Sequence, residues 1–349
     1  MPPKSILIAG AGALGSALAV VLTRAGARVT LAAPAPIGAN ASGIAAGMLA
    51  PVFESLFDAG AEALETFRRA RDAWPAFAAR IGIDLDRTGA MAVGSAGELD
   101  DWQAQLYAWG VAATRLTPAE ARTRAPWLAG ERGGLYTDED WRLDAGSALA
   151  ALREAADREG VRRLDAGVVG FDAGRATLTN GEILDADALV VATGASRALI
   201  DVAPELTGLA PIKGHILRAP GLILTGPVAR FDGGYICPAP GGAIIGASME
   251  IGRDDAVVDP GSVQRVRDLA ARVLPAIAST PFTAAAGVRA DTPDHRPLVG
   301  RSAAVGVWLA VGARRNGWLL APMIAEAIAR EVMGGAGEGV FDPGRFAGE

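Results

Sequence analysis

The chain has 349 residues, half of them hydrophobic, and a net charge of −6 with no basic block. That composition excludes a disordered or fibrous chain and offers nucleic acid no surface. The single cysteine, Cys237, excludes an intrachain disulfide and a thiolate zinc site. Two histidines (His215, His295) are too few for a His-rich metal site, and two lysines (Lys4, Lys213) leave 31 of the 33 basic residues as arginine, which argues against a pyridoxal-phosphate enzyme.

Ser5 to Thr23 is 19 residues without a charge, preceded by Lys4. It reads as a buried strand, Ser5–Ala9, and a tightly packed helix to about Ala25, not as a signal or a membrane span, because Gly10, Gly12 and Gly15 interrupt it. A soluble cytoplasmic protein is expected. Ala27–Leu31 is a second strand, and the βαβ unit opens a doubly wound sheet. Residues 34–47 read as loop. A long helix is predicted over Phe57–Ile81, a strand over Leu85–Val93, and helices over Gly97–Trp109 and Pro118–Arg124, the latter N-capped by Thr117 with Glu120 three residues on. Asp144 caps a helix reaching Glu159. Strands follow near Arg162–Leu164, Gly167–Phe171, Ala176–Leu178 and Ala188–Ala192. From Leu209 to Glu250 the short runs Ile212–Leu217, Leu222–Leu224, Gly234–Cys237 and Ala243–Ala247 read as an antiparallel sheet. Asp259–Leu274 is a helix, Val305–Val311 a strand and Gly317–Val332 a helix. The expected fold class is α/β: a discontinuous Rossmann-like unit (1–83, 140–208, 285–349) with an inserted antiparallel α+β unit (84–139, 209–284).

Gly10-x-Gly12-x-x-Gly15 follows a strand and opens a helix. Its glycines permit a tight turn, close approach to a pyrophosphate and close helix–strand packing. The phosphate then faces the positive end of the helix dipole. The usual acidic residue at the end of the second strand, which would hold the adenosine ribose, is absent. Ala32, Ala33 and Pro34 stand there, so the ribose must be held by other groups, such as the 40–42 loop, or less tightly.

Ala41-Ser42-Gly43-Ile44-Ala45-Ala46-Gly47-Met48-Leu49-Ala50-Pro51 resembles a segment of the D-amino acid oxidase family of flavoproteins, and within it the glycine oxidase branch. Further motifs are similar in order: Lys213-Gly214-His215; Gly234-Tyr235-Ile236-Cys237-Pro238 with Ile244-Ile245-Gly246-Ala247; Gly287-Val288-Arg289 with Thr292-Pro293-Asp294-His295-Arg296-Pro297-Leu298-Val299-Gly300; Arg315-Asn316-Gly317-Trp318-Leu319-Leu320-Ala321-Pro322; and Phe341-Asp342-Pro343-Gly344-Arg345-Phe346. The likeness runs through nearly the whole chain and is loose only over 52–140.

The resemblance implies an FAD enzyme that oxidises glycine or a small D- or N-methyl amino acid to the imine, with H2O2 as co-product, in the service of thiamine biosynthesis. It implies FAD contacts at Gly10, Gly12, Ala13, Leu14, Gly15, Ala33, Pro34, Ala41, Ser42, Ala46, Gly47, Met48, Val168, Thr193, Gly194, Arg314, Asn316, Gly317, Trp318 and Leu319. It gives Arg289 the substrate carboxylate, because a guanidinium pairs both oxygens, with Tyr235 adding a hydroxyl and Arg315 a further substrate or flavin contact. No side chain is assigned an acid–base role. The branch that attaches flavin covalently uses a Cys near Thr292-Pro293-Asp294. None is there, so non-covalent FAD is expected. Ala313-Arg314 departs from the family pattern, and Arg314 is expected to add charge and length near the site mouth. The expected partners are a small amino acid or amine and O2, with self-association into a homo-oligomer open and no nucleic acid or membrane. A dehydrogenase of the same fold using another acceptor, and a non-catalytic flavin-binding homologue, are the alternatives.

Overall fold

The computed structural model of the chain describes residues 2–34, 40–337, 339 and 341–346. Its first sheet has six strands in the order Leu298–Arg301, Val307–Val311, Ala188–Val191, Ser5–Ala9, Arg28–Ala32, Arg162–Leu164. Every neighbouring pair is parallel except the first, which is antiparallel. Continuous apolar runs explain this: Ile6, Leu7, Ile8 and Val190 are all but unexposed, as strands covered on both faces must be. Helices Ala13–Arg24, Ala145–Arg158 and Gly317–Val332 supply part of that cover.

The strand order reverses at Ser5–Ala9, since the chain goes first to Arg28–Ala32 on one side and later to Ala188–Val191 on the other. Such a reversal leaves a crevice beyond the carboxyl ends of the strands.

The second sheet has nine strands. Along it lie Glu250–Ile251, Ala210–Pro220, Gly242–Gly246, Gly234–Ala239, Val228–Phe231, Ala90–Gly94, Gly133–Thr137 and Thr114–Leu116, with Thr283–Asp291 on the other edge of Ala210–Pro220. That last pairing runs the whole strand, from Ala210↔Asp291 to Arg218↔Thr283.

Two expectations need correction, and one strand is new. The helix predicted from Phe57 starts earlier and is broken: Pro51–Glu54 is α-helical, Ser55–Ala59 is a π-helical turn, and Ala61–Ile81 restarts after Gly60 at φ +79°. Leu222–Leu224 is not a strand; the strand of that region is Val228–Phe231. The long strand Thr283–Asp291 was not foreseen, because TAAAGVRAD has neither the alternation nor the β-branched content that marks strands. It crosses position 285, where the sequence reading changes unit. The helix Gly317–Val332 and the capping box of Thr117 with Glu120 are as predicted.

Candidate functional site

One cavity of about 420 Å3 lies between the carboxyl edge of the first sheet and the face of the second. At the first-sheet end its walls are backbone. Gly10 adopts φ +108°, and a Cβ there would overlap the Ala192 carbonyl. A Cβ on Gly15 would overlap the Gly10 carbonyl, so Gly15 lets the helix Ala13–Arg24 sit against the turn. Gly12, the N-cap of that helix, has no capping side chain; instead the Ala13 amide donates to Ser42 Oγ, 29 residues beyond Ala13, at 3.0 Å. Trp318 Nε1 donates to the Ser42 carbonyl at 3.1 Å. Asn40 caps the turn Ala41–Ile44 through Gly43 N at 3.0 Å, and Arg218 from the second sheet donates to the Gly43 and Ile44 carbonyls at 3.3 and 3.2 Å.

The helix Gly317–Val332 also starts at the cavity, and its N-cap Asn316 makes no side-chain cap. Helices Ala96–Ala108, Pro118–Arg124, Ala145–Arg158 and Pro260–Ala271 are capped by Ser95, Thr117, Asp144 and Asp259. Two helix starts whose own N-cap residues, Gly12 and Asn316, make no side-chain cap, the first met only by Ser42 at the Ala13 amide, open on one cavity beside a glycine turn and fit the anionic pyrophosphate and ring of a flavin dinucleotide.

At the second-sheet end the walls are side chains. Arg289 lies across Gly214, whose Cβ would overlap the guanidinium, and donates from Nη2 to the Ser248 carbonyl at 2.8 Å. Burial, and then neighbouring Arg315, pull its pKa down. Tyr235 sits over Gly246, and burial pushes its phenol up to about 12, so it stays a neutral donor. Glu54 is 4% exposed and lies between Arg315 Nε at 2.8 Å and Arg230 Nη1 at 2.9 Å. Burial raises the Glu54 pKa, but the Arg315 and Arg230 charges outweigh it and hold the carboxyl below its usual value. The helix that carries Glu54 is capped from a distance: Asp140 accepts from Val52 N at 2.7 Å and Phe53 N at 3.0 Å. Burial pushes that carboxyl up to about 7, against the pull of the two amides.

The candidate residues divide as follows. Arg289, Tyr235, Arg315, Gly10, Gly12, Ala13, Leu14, Ala33, Pro34, Ala41, Ser42, Ala46, Gly47, Met48, Thr193, Gly194, Arg314, Asn316, Gly317 and Trp318 all line the cavity. Gly15 stands behind the turn, Leu319 is buried in the core, and Val168 lies buried in a separate three-stranded sheet. Arg314 does not add free charge at the mouth. It is held by Asp58 and, at 3.0 Å from its Nε, by Asp291.

Sequence reasoning missed Glu54, Arg230 and Ser248. Nothing local marks them; only the folded chain sets the Ser248 carbonyl against Arg289 and Arg230 against Glu54. The acids at 54 and 58 are spaced i, i+4 and meet the consecutive arginines 315 and 314, a charge match that could have been noticed.

Among the described residues no group of His, Cys, Asp or Glu could hold a metal ion, and no helix is long and apolar enough to cross a membrane.

The fold, the glycine turn and the two helix starts at the cavity define a flavin-dependent oxidoreductase. The chain belongs to the DAO family of FAD-dependent oxidoreductases, whose model matches residues 5–331. It is 30% identical over 347 residues to glycine oxidase of Geobacillus kaustophilus, covering 93% of this chain and 91% of that protein. It is 33% identical over 344 residues to a Rhizobium etli protein described as a thiamine biosynthesis oxidoreductase, ThiO, covering 94% and 96%. The crystal structure of the G. kaustophilus glycine oxidase superposes with a TM-score of 0.86 at 27% identity, over 98% of this chain and 97% of that one.

Proposed function

We propose that the protein is an amino acid oxidase of the glycine oxidase type. It oxidises glycine or a small D- or N-methyl amino acid to the imine, with O2 reduced to H2O2. Water then converts the imine to the 2-oxo acid and ammonia or amine. The observation that carries this reading is the continuity of one cavity from the Gly10–Gly12 turn to Arg289 and Tyr235. It gives a dinucleotide one end and a small carboxylate the other. The likeness to glycine oxidase and to ThiO supports the substrate class and a role in thiamine biosynthesis.

FAD, when bound, would supply the two-electron acceptor between the substrate and O2. The chain's own part is binding and orientation. Arg289 pairs the substrate carboxylate, and Tyr235 donates a hydroxyl to it. The free amides at Gly317 and Trp318 favour negative charge beside them. Loss of hydrogen from the substrate carbon needs no protein base once the amine is neutral, which suits a site whose Arg289, Arg315 and Tyr235 are hydrogen-bond donors and whose one carboxylate, Glu54, is taken by Arg315 and Arg230.

Non-covalent FAD is supported by where the nucleophiles point. Cys237 is buried, and its thiol faces the Pro238 carbonyl at 3.4 Å. His215 Nε2 accepts from Asp259 N at 3.0 Å, and His295 Nδ1 pairs with Asp291 at 2.9 Å.

The test is a panel of amino acids added to FAD-loaded protein. Bleaching of the flavin without O2 and peroxide formation with O2, greatest for glycine, sarcosine or small D-amino acids, is expected. Bleaching without peroxide, with electrons passing to a dye, would instead mark a dehydrogenase. Acid precipitation should leave the flavin in the supernatant.

A further inference from the structure

The charges at the anchoring end of the cavity limit how many carboxylates a substrate can bring. Arg289 meets no carboxylate partner among the described residues; its guanidinium is held by the Ser248 carbonyl alone. Arg315 is different. Its Nε lies 2.8 Å from Glu54 Oε1, while Glu54 Oε2 takes Arg230 at 2.9 Å, so one buried carboxylate serves two cations. Glu54 Oε1 is in ion-pair contact with Arg315 yet lacks an aligned hydrogen bond, and Glu54 itself lines the cavity. Arg314 brings nothing further, being matched by Asp58 and Asp291. The wall therefore offers one cation without an acid and, beside it, a fixed buried anion.

We infer that Glu54 determines specificity: by occupying Arg315 it admits substrates with one carboxylate and turns away amines with a second, such as N-carboxymethyl compounds. A second carboxylate would come up against Glu54 in surroundings that screen charge poorly. Opposing a like charge is a recognised way to reject the wrong ligand. The inference rests on the proposed reading of Arg289 as the carboxylate anchor.

The experiment uses the FAD-loaded protein and two four-carbon acids that cannot be oxidised as amines, butyrate and succinate. Dissociation constants are read from the perturbation of the flavin absorption band at fixed ionic strength. In the unaltered protein succinate should bind about tenfold more weakly than butyrate, or worse. In Glu54→Gln, which keeps an acceptor oxygen for Arg230 while freeing the Arg315 charge, that ratio should fall about tenfold or reverse. Equal binding of the two acids by the unaltered protein overturns the inference, as does an unchanged ratio in a folded Glu54→Gln. If the variant does not fold, the comparison in the unaltered protein decides alone. Failure of both acids to bind would instead remove the Arg289 anchor, and the inference with it.

Discussion

The two ends of the cavity are built by opposite means. The first-sheet end is made of backbone: Gly10 and Gly12 between a strand and a helix, with Thr193-Gly194 after the next strand. The second-sheet end is made of long side chains from distant segments: Glu54 from a short helix, Tyr235 and Arg289 from two strands, and Arg315 from the loop before the last helix, with Arg230 of a third strand paired to Glu54. A backbone site depends on local conformation, so a substitution there acts through sterics. A side-chain site depends on register, so its charges must be balanced across the fold.

Substitutions at four positions probe that contrast, from the largest expected effect to the smallest. Arg289→Ala should raise the KM of an amino acid substrate 30-fold to several-thousand-fold, corresponding to about 2–5 kcal/mol for leaving a buried carboxylate unpaired. The flavin spectrum should persist, and Arg289→Lys should recover only part, since an ammonium lacks the bidentate fork. Normal kinetics in Arg289→Ala would shift the anchor to Arg315.

Ala33→Glu addresses the backbone end. Ala33 follows the second strand and lines the cavity, where it has no side-chain oxygen to offer a ribose. A new charged hydrogen bond is worth about 1.5–3 kcal/mol, so FAD should bind roughly 10- to 150-fold tighter in a fluorescence titration. Unchanged or weaker binding would mean that other groups already satisfy the ribose.

Gly214→Ala puts a methyl where the Arg289 guanidinium lies. Substrate KM should rise about tenfold, the size expected for a small misplacement of an anchoring group, with FAD affinity untouched. A parallel loss of FAD would show that the two ends are not separable.

Tyr235→Phe should cost about 0.5–1.5 kcal/mol, or roughly 2- to 12-fold in KM. Because burial holds the phenol protonated up to about 12, it remains a donor as pH rises, and the dissociation constant of acetate should stay flat from about pH 7 to 10. A weakening centred near the ordinary tyrosine value would contradict the buried assignment.

The same contrast explains what could be read in advance. The Gly10–Gly15 turn was legible because strand, glycine spacing and helix are contiguous, and the helix Gly317–Val332 because its period is long and regular. The cap at Asp144 was legible for the same local reason. Glu54 was not, because its role comes from Arg230 and Arg315, which lie 176 and 261 positions away in sequence. Arg289 is singled out in the sequence only by its likeness to a known motif; the strand that carries it, Thr283–Asp291, is alanine-rich and gives no periodic signal. The charge expected of Arg314 near the mouth is matched by Asp58 and Asp291, which become its neighbours only in the folded chain.

The most direct test of the account is to add glycine and glycine methyl ester, without O2, to the FAD-loaded protein and follow the flavin absorption. The account predicts that glycine bleaches the flavin and that the ester, lacking the charge that Arg289 pairs, does so far more weakly. Equal bleaching by acid and ester would contradict the carboxylate anchor. No bleaching by glycine or any other small amino acid would contradict the proposed oxidation itself.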